Sequence, residues 1–180
     1  MDPGPLEHHV PAPLLARLGD ITVSFAMLDV QIQFLAWVLL GVVERQNLGN
    51  IMTSELSFGA RCDLVLNLYR EQFGLVDEFE ELRVLIKRAR ALEKERNRIT
   101  HSFWAPSFSN TDGSRVEDVA RRIKVSARSK RGLAWDEETV DEQRLVGVAD
   151  AFKQLAGEIM NFSVTLSIGP PRGTNAPSTS

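Results

Sequence analysis

The chain has 180 residues, 43% of them hydrophobic and 25% charged, enough length and apolar content for one well-buried core, which excludes a disordered or collagen-like chain. A formal net charge of −3 gives no global attraction to nucleic acid, so any anionic ligand has to be held by a local basic patch. The single cysteine, Cys62, excludes an intrachain disulfide and a multi-thiolate zinc site, and it fits a reducing, cytoplasmic location.

Residues 1–13 are rich in proline and carry His8 and His9, but they lack the basic start and apolar run of a signal peptide. They read as an unstructured tail, as do residues 169–180 (GPPRGTNAPSTS), which cannot supply apolar contacts to offset the entropy of ordering. The working domain is 14–168. Its first helix is expected over 14–43, with Leu14, Leu18, Ile21, Phe25, Leu28, Ile32, Leu35 and Leu39 spaced alternately four and three apart. A second set, Val23, Met27, Val30, Phe34 and Trp37, follows the same spacing on other faces, so the helix needs cover on most sides, either from its own domain or from a second subunit, and the small number of helices favours the second subunit. Its most membrane-like stretch, 34–43, is half the length of about 20 residues that a spanning helix needs, so no membrane span is expected.

A second helix fits 54–73, with Ser54 as N-cap, Gly74 as stop, and Phe58, Cys62, Val65 and Leu68 on its core face. Cys62 on that face reads as an inert core residue. A third helix begins near Asp77, carries Phe79, Leu82, Leu85, Ile86, Ala89, Leu92 and Ile99 at helical spacing, and ends near His101. A fourth spans about 141–166 on Leu145, Val148, Phe152, Leu155, Ile159, Phe162 and Leu166. Between the third and fourth, Asn110-Thr111-Asp112-Gly113 reads as a turn. Residues 122–128 alternate polar with apolar and predict one or two short antiparallel strands, with Ile123, Val125 and Ala127 towards the helices and Arg122, Lys124 and Arg128 facing away. The fold class is mainly α: a four-helix bundle with a short β-hairpin insertion between helices three and four.

One segment has chemical character. At 100° per residue, Arg96 falls at the centre of the stripe made by Leu85, Ala89, Leu92 and Ile99. A guanidinium there calls for an acidic partner or an anionic ligand. Asn97 and His101 are four apart on an adjacent face, so the segment can direct an arginine, an amide and an imidazole into one crevice.

Arg96-Asn97 followed by three residues and His101 resembles the signature of the HEPN (higher eukaryotes and prokaryotes nucleotide-binding) superfamily, and the wording from Glu95 to His101, followed by Phe103-Trp104, looks like uncharacterised bacterial members. The likeness in helix order covers about 14–166. The resemblance implies a helical bundle and metal-independent RNA cleavage at a site shared by two subunits, with Arg96 and His101 catalytic, Asn97 supporting, and no cofactor or metal. RNA brings its own nucleophile, the 2′-hydroxyl, so the protein need only move protons and stabilise charge on the phosphorane. A histidine suits the first task and the planar fork of an arginine the second. The implied homodimer forms through the first helix and the motif face. The implied setting is a toxin–antitoxin or phage-defence system with a silencing protein partner.

Arg122, Lys124 and Arg128 are then the residues to track an RNA backbone, with Trp104 or Phe103 to stack on a base. Other readings of the same residues stay open. Arg96 can serve as an ion-pair partner to Asp29 or Glu55, with His101 as a helix C-cap. The basic cluster 121–131 can be a solvated hairpin amid Glu117, Asp118, Asp136, Glu137 and Glu138, and Trp104 and Trp135 can be packing residues. On those readings the chain is a non-catalytic helical module that binds a partner protein, nucleotide or RNA.

Overall fold

A computed structural model describes residues 10–108, 113–128 and 132–169. In chain order the elements are α1 (Ala12–Leu40), α2 (Gln46–Thr53), α3 (Phe58–Phe73), α4 (Asp77–Thr100), β1 (Phe103–Phe108), β2 (Arg115–Arg128), β3 (Gly132–Asp141) and α5 (Glu142–Ile168). The protein is mainly helical, as expected, but with five helices among the described residues and a three-stranded sheet, ordered β1-β2-β3, between α4 and α5. The expected turn at 110–113 lies mostly outside the described residues.

The chain divides into two compact units, and α1, α4 and α5 contribute to both. One comprises 25–93 and the chain from 151 onward. Its core is the apolar stripes that the four-and-three spacing marks, including Leu28, Ile32 and Leu35 of α1, Cys62 and Val65 of α3, Leu82 and Ile86 of α4, and Phe152, Leu155 and Ile159 of α5. Phe25 packs between Phe58 and Phe152, with ring centroids at 5.2 and 5.8 Å. Burial pushes the Cys62 thiol up to about 11, in keeping with an inert core residue.

Two details depart from the sequence reading. The N-cap of α3 is Ser57 rather than Ser54: Ser57 Oγ accepts from the Ala60 amide at 3.2 Å, and Ser54 instead caps the C-terminus of the unexpected α2. That short helix lacks a long apolar seam and is held by tertiary contacts. The Thr53 hydroxyl accepts from Gln33 Nε2 at 2.8 Å and Trp37 Nε1 at 3.1 Å, and donates to the Gly49 carbonyl at 2.8 Å. Arg61 grips Asp29 at 2.7 Å and donates to the Thr53 carbonyl at 3.3 Å. Between α1 and α2, Gly41 at φ +66° closes α1 while the Val42 amide reaches back to the Trp37 carbonyl at 3.0 Å.

Gly49 is required for a different reason. A Cβ there would lie 2.8 Å from the Trp37 indole, so Gly49→Ala is expected to cost about 1–3 kcal/mol through overpacking, despite alanine's better helix propensity. A urea titration of the variant against wild type measures this.

The other unit comprises the chain up to Ser24 together with Lys94–Asp150. Leu14, Ile21, Ile99, Ala105, Ala120, Val140, Leu145 and Val148 are buried in it. Asp141 caps α5, accepting from the Arg144 amide at 2.8 Å. The insertion is larger than the expected hairpin: β1 is a third strand, antiparallel to β2, and its register shifts at Pro106/Ser107, where proline has no amide to donate to a ladder.

The faces of β2 are inverted relative to the expectation. Arg122 is inward and 1% exposed, whereas Val125 is 48% exposed. Because side chains alternate, reversing one residue reverses the strand. The outward face of the sheet therefore carries Phe103 (67% exposed), Val125 and Trp135 (71%), so Trp135 is not the packing residue it resembles in sequence.

Candidate functional site

Arg96, Asn97 and His101 lie at the C-terminal end of α4 and just beyond it, all within the unit that holds the sheet. Arg96 and Asn97 are half-buried and His101 is exposed. Arg96 Nη1 donates to Asn97 Oδ1 at 2.8 Å, which ties the guanidinium to the neighbouring amide. The last turn is pinned by Thr100 Oγ1 donating to the Arg96 carbonyl at 2.9 Å and by the His101 amide donating to the Asn97 carbonyl at 3.3 Å. The latter bond continues the helical i to i−4 pattern, so Asn97 and His101 stand on one side of the helix end. Asp29, one of the acids considered as a partner for Arg96, is engaged by Arg61.

Of the residues assigned to RNA contact, Lys124 comes closest to the motif, its Nζ 3.5 Å from the Asn97 carbonyl. Trp104 is half-buried and donates from Nε1 to the Ile99 carbonyl at 3.2 Å, which fixes β1 against the end of α4 as a packing contact. Arg128 ends β2, and its side chain, like Lys130 and Arg131, lies outside the described residues.

Arg122 is the central member of an ion-pair network. Its Nε meets Glu138 at 3.2 Å, its Nη2 meets Asp136 at 2.9 Å, and its Nη1 donates to Ser102 Oγ at 3.2 Å. Arg98 reaches the same two acids, at 3.0 Å to Asp136 and 3.2 Å to Glu138. Arg144 pairs with Glu95 and lies 3.7 Å from Glu138, and Arg121 pairs with Glu137 at 3.0 Å. The strand register explains this: Arg122 stands opposite Glu138, and Lys124 opposite Asp136. Asp136, Glu137 and Glu138, which follow the basic cluster in sequence, thus pair with Arg121 and Arg122 in space, and Arg122 has no surface on which to meet a phosphate.

Asp136 is held at about 2, against an ordinary 3.8, first by its hydrogen bond from Arg98 and then by that from Arg122. A carboxylate whose value falls on folding contributes stability above its unfolded value and loses it as the pH falls through the folded one. Asp136→Asn is therefore expected to melt below wild type at neutral pH, with the gap closing as the pH drops from about 4 to about 2. A pH series of thermal melts on the two proteins checks this.

No known protein family, curated protein or solved structure matches the chain. Among the described residues, no three His, Cys, Asp or Glu side chains converge as metal ligands. By length and composition α1 would suffice to cross a membrane, a test that the core helix of a soluble protein also passes. In this fold α1 buries a stripe from Leu14 through Leu39 and exposes Val23, Met27 and Val30.

Proposed function

We propose that the chain is a metal-independent endoribonuclease of HEPN type that works as a cytoplasmic homodimer. The observation that carries this reading is the Arg96–Asn97 hydrogen bond at the end of α4, with the exposed His101 one turn beyond Asn97 on the same side. Arg96 binds the scissile phosphate through its planar fork and stabilises the charge that builds on it. His101 moves the proton: in a dimer, one imidazole takes it from the 2′-hydroxyl and the second gives one to the leaving 5′-oxygen. Asn97 holds the guanidinium in place. Lys124, beside the Asn97 carbonyl, meets an adjoining phosphate. The exposed Val23, Met27 and Val30 of α1 supply the apolar surface for pairing two copies.

A second reading, a non-catalytic module that binds a protein, nucleotide or RNA, is favoured by the internal pairing of Arg98, Arg121, Arg122 and Arg144, which engages much of the cationic charge among the described residues in and beside the sheet. Incubation with mixed cellular RNA in excess chelator separates the two: cleavage supports the enzyme, and intact RNA supports the binding module. In a toxin–antitoxin or phage-defence setting, the same assay with a co-expressed neighbour protein tests for a silencing partner.

A further inference from the structure

The unit that lacks the motif contains a groove of about 870 Å³ between α3, α4 and the end of α5, within the size range of small-molecule sites. Its floor is apolar and aromatic, from Tyr69, Leu85, Phe162 and Leu166, and Glu78 and Glu81 stand at its side. Glu158 also lines it but is already engaged by Arg88. Among the described residues, Glu78 and Glu81 form no ion pair, so the groove presents two uncompensated carboxylates.

Tyr69 is the second, independent feature. It is 1% exposed, lines the groove, and its hydroxyl has no hydrogen-bond partner among the described residues. The side chain is otherwise enclosed, and the hydroxyl keeps contact with solvent, so it offers a ligand in the groove both a donor and an acceptor. Its ring lies in an aromatic group, with centroids 4.9 Å from Phe73 and 5.8 Å from Phe162, so a cation beside it would also face π-surface.

We infer that this groove binds a linear aliphatic polyamine, its methylene stem on Leu85, Phe162 and Leu166 and its ammonium groups between Tyr69, Glu78 and Glu81. The match is of charge and shape. Two carboxylates beside an apolar floor suit two ammonium groups joined by methylenes, whereas a metal ion would leave the floor uncovered and a neutral lipid tail would leave the carboxylates unanswered. Burial and the two neighbouring glutamates also raise the Tyr69 phenol above its ordinary range, which keeps it protonated as a hydroxyl that can accept from an ammonium. The inference does not depend on ribonuclease activity.

Calorimetric titration of the full chain with spermidine and with hexamethylenediamine tests it, with hexanediol as the neutral comparator. Saturable binding of both amines, none of the diol, and weakening with added salt are expected. Glu78→Gln/Glu81→Gln should weaken the amines about tenfold or more, the equivalent of roughly 1.4 kcal/mol, and Tyr69→Phe should weaken them by a smaller factor. The same charge removal on another face, Glu44→Gln/Glu71→Gln, should leave affinity unchanged. Absence of amine binding to wild type, equal binding of the diol, or equal loss in both double variants would overturn the site. The wild-type titrations need no variant to fold.

Discussion

Arg122→Ala is expected to lower the free energy of unfolding by about 3 kcal/mol, the low end of the range for removing one partner from a buried ion pair. The guanidinium is 1% exposed and answers Asp136, Glu138 and the Ser102 hydroxyl together. Its loss leaves two carboxylates facing each other across a gap. Arg98 remains to pair with both, and Asp136 and Glu138 keep access to water, which holds the cost below the upper end of that range. Arg122→Met, which keeps the apolar stem, should recover part of the loss. Urea unfolding at neutral pH measures all three proteins. A change under about 0.5 kcal/mol, the ordinary range for surface sites, would contradict the structural role assigned to Arg122.

His101→Ala is expected to cut RNA cleavage by about 10²–10⁴-fold, the usual contribution of a positioned general acid or base. Its exposed side chain predicts a melting temperature close to that of wild type, so loss of activity would not be loss of fold. Arg96→Ala should lose about 10²–10³-fold from the missing charge at the phosphorane. It should also lose about 1 kcal/mol of stability with the hydrogen bond to Asn97. Arg96→Lys distinguishes charge from geometry: the ammonium keeps the charge but not the fork, and most of the activity should stay lost. Normal cleavage by either alanine variant would remove that residue from the catalytic assignment.

The helices were legible because each carries an apolar seam at helical spacing, and those seams largely coincide with the buried stripes of α1, α3, α4 and α5, although in α3 Tyr69 is buried where the sequence placed Leu68. α2 was not, because eight residues with two buried positions, Gly49 and Thr53, have no seam to read, and the contacts that hold them come from Gln33, Trp37 and Arg61. β1 was hidden by Pro106 and Ser107, which suit an edge strand as well as a loop.

The inverted face of β2 has the same kind of cause. Apolar alternation assigned Ile123 and Val125 inward on hydropathy, but the inward position of Arg122 is secured by acids from another strand, and pairing across strands is set by register. The acids themselves were visible, since Asp136, Glu137 and Glu138 already stood beside the cluster in sequence, and they pair with Arg121 and Arg122. That Asn97 and His101 share one side at the end of α4 was readable from their spacing. The groove beside Tyr69 was not, because its walls join the consecutive α3 and α4 to the sequence-distant end of α5.

The most direct test of the central claim is the chemistry of the RNA ends that wild type and His101→Ala leave in the presence of chelator. Attack by the 2′-hydroxyl without a metal gives fragments with a 5′-hydroxyl and a cyclic 2′,3′-phosphate, so wild-type products should accept a 5′ label without prior phosphatase treatment and the variant should yield none. Fragments with 5′-phosphates, cleavage abolished by the chelator, or equal fragments from both proteins would contradict the assignment of His101.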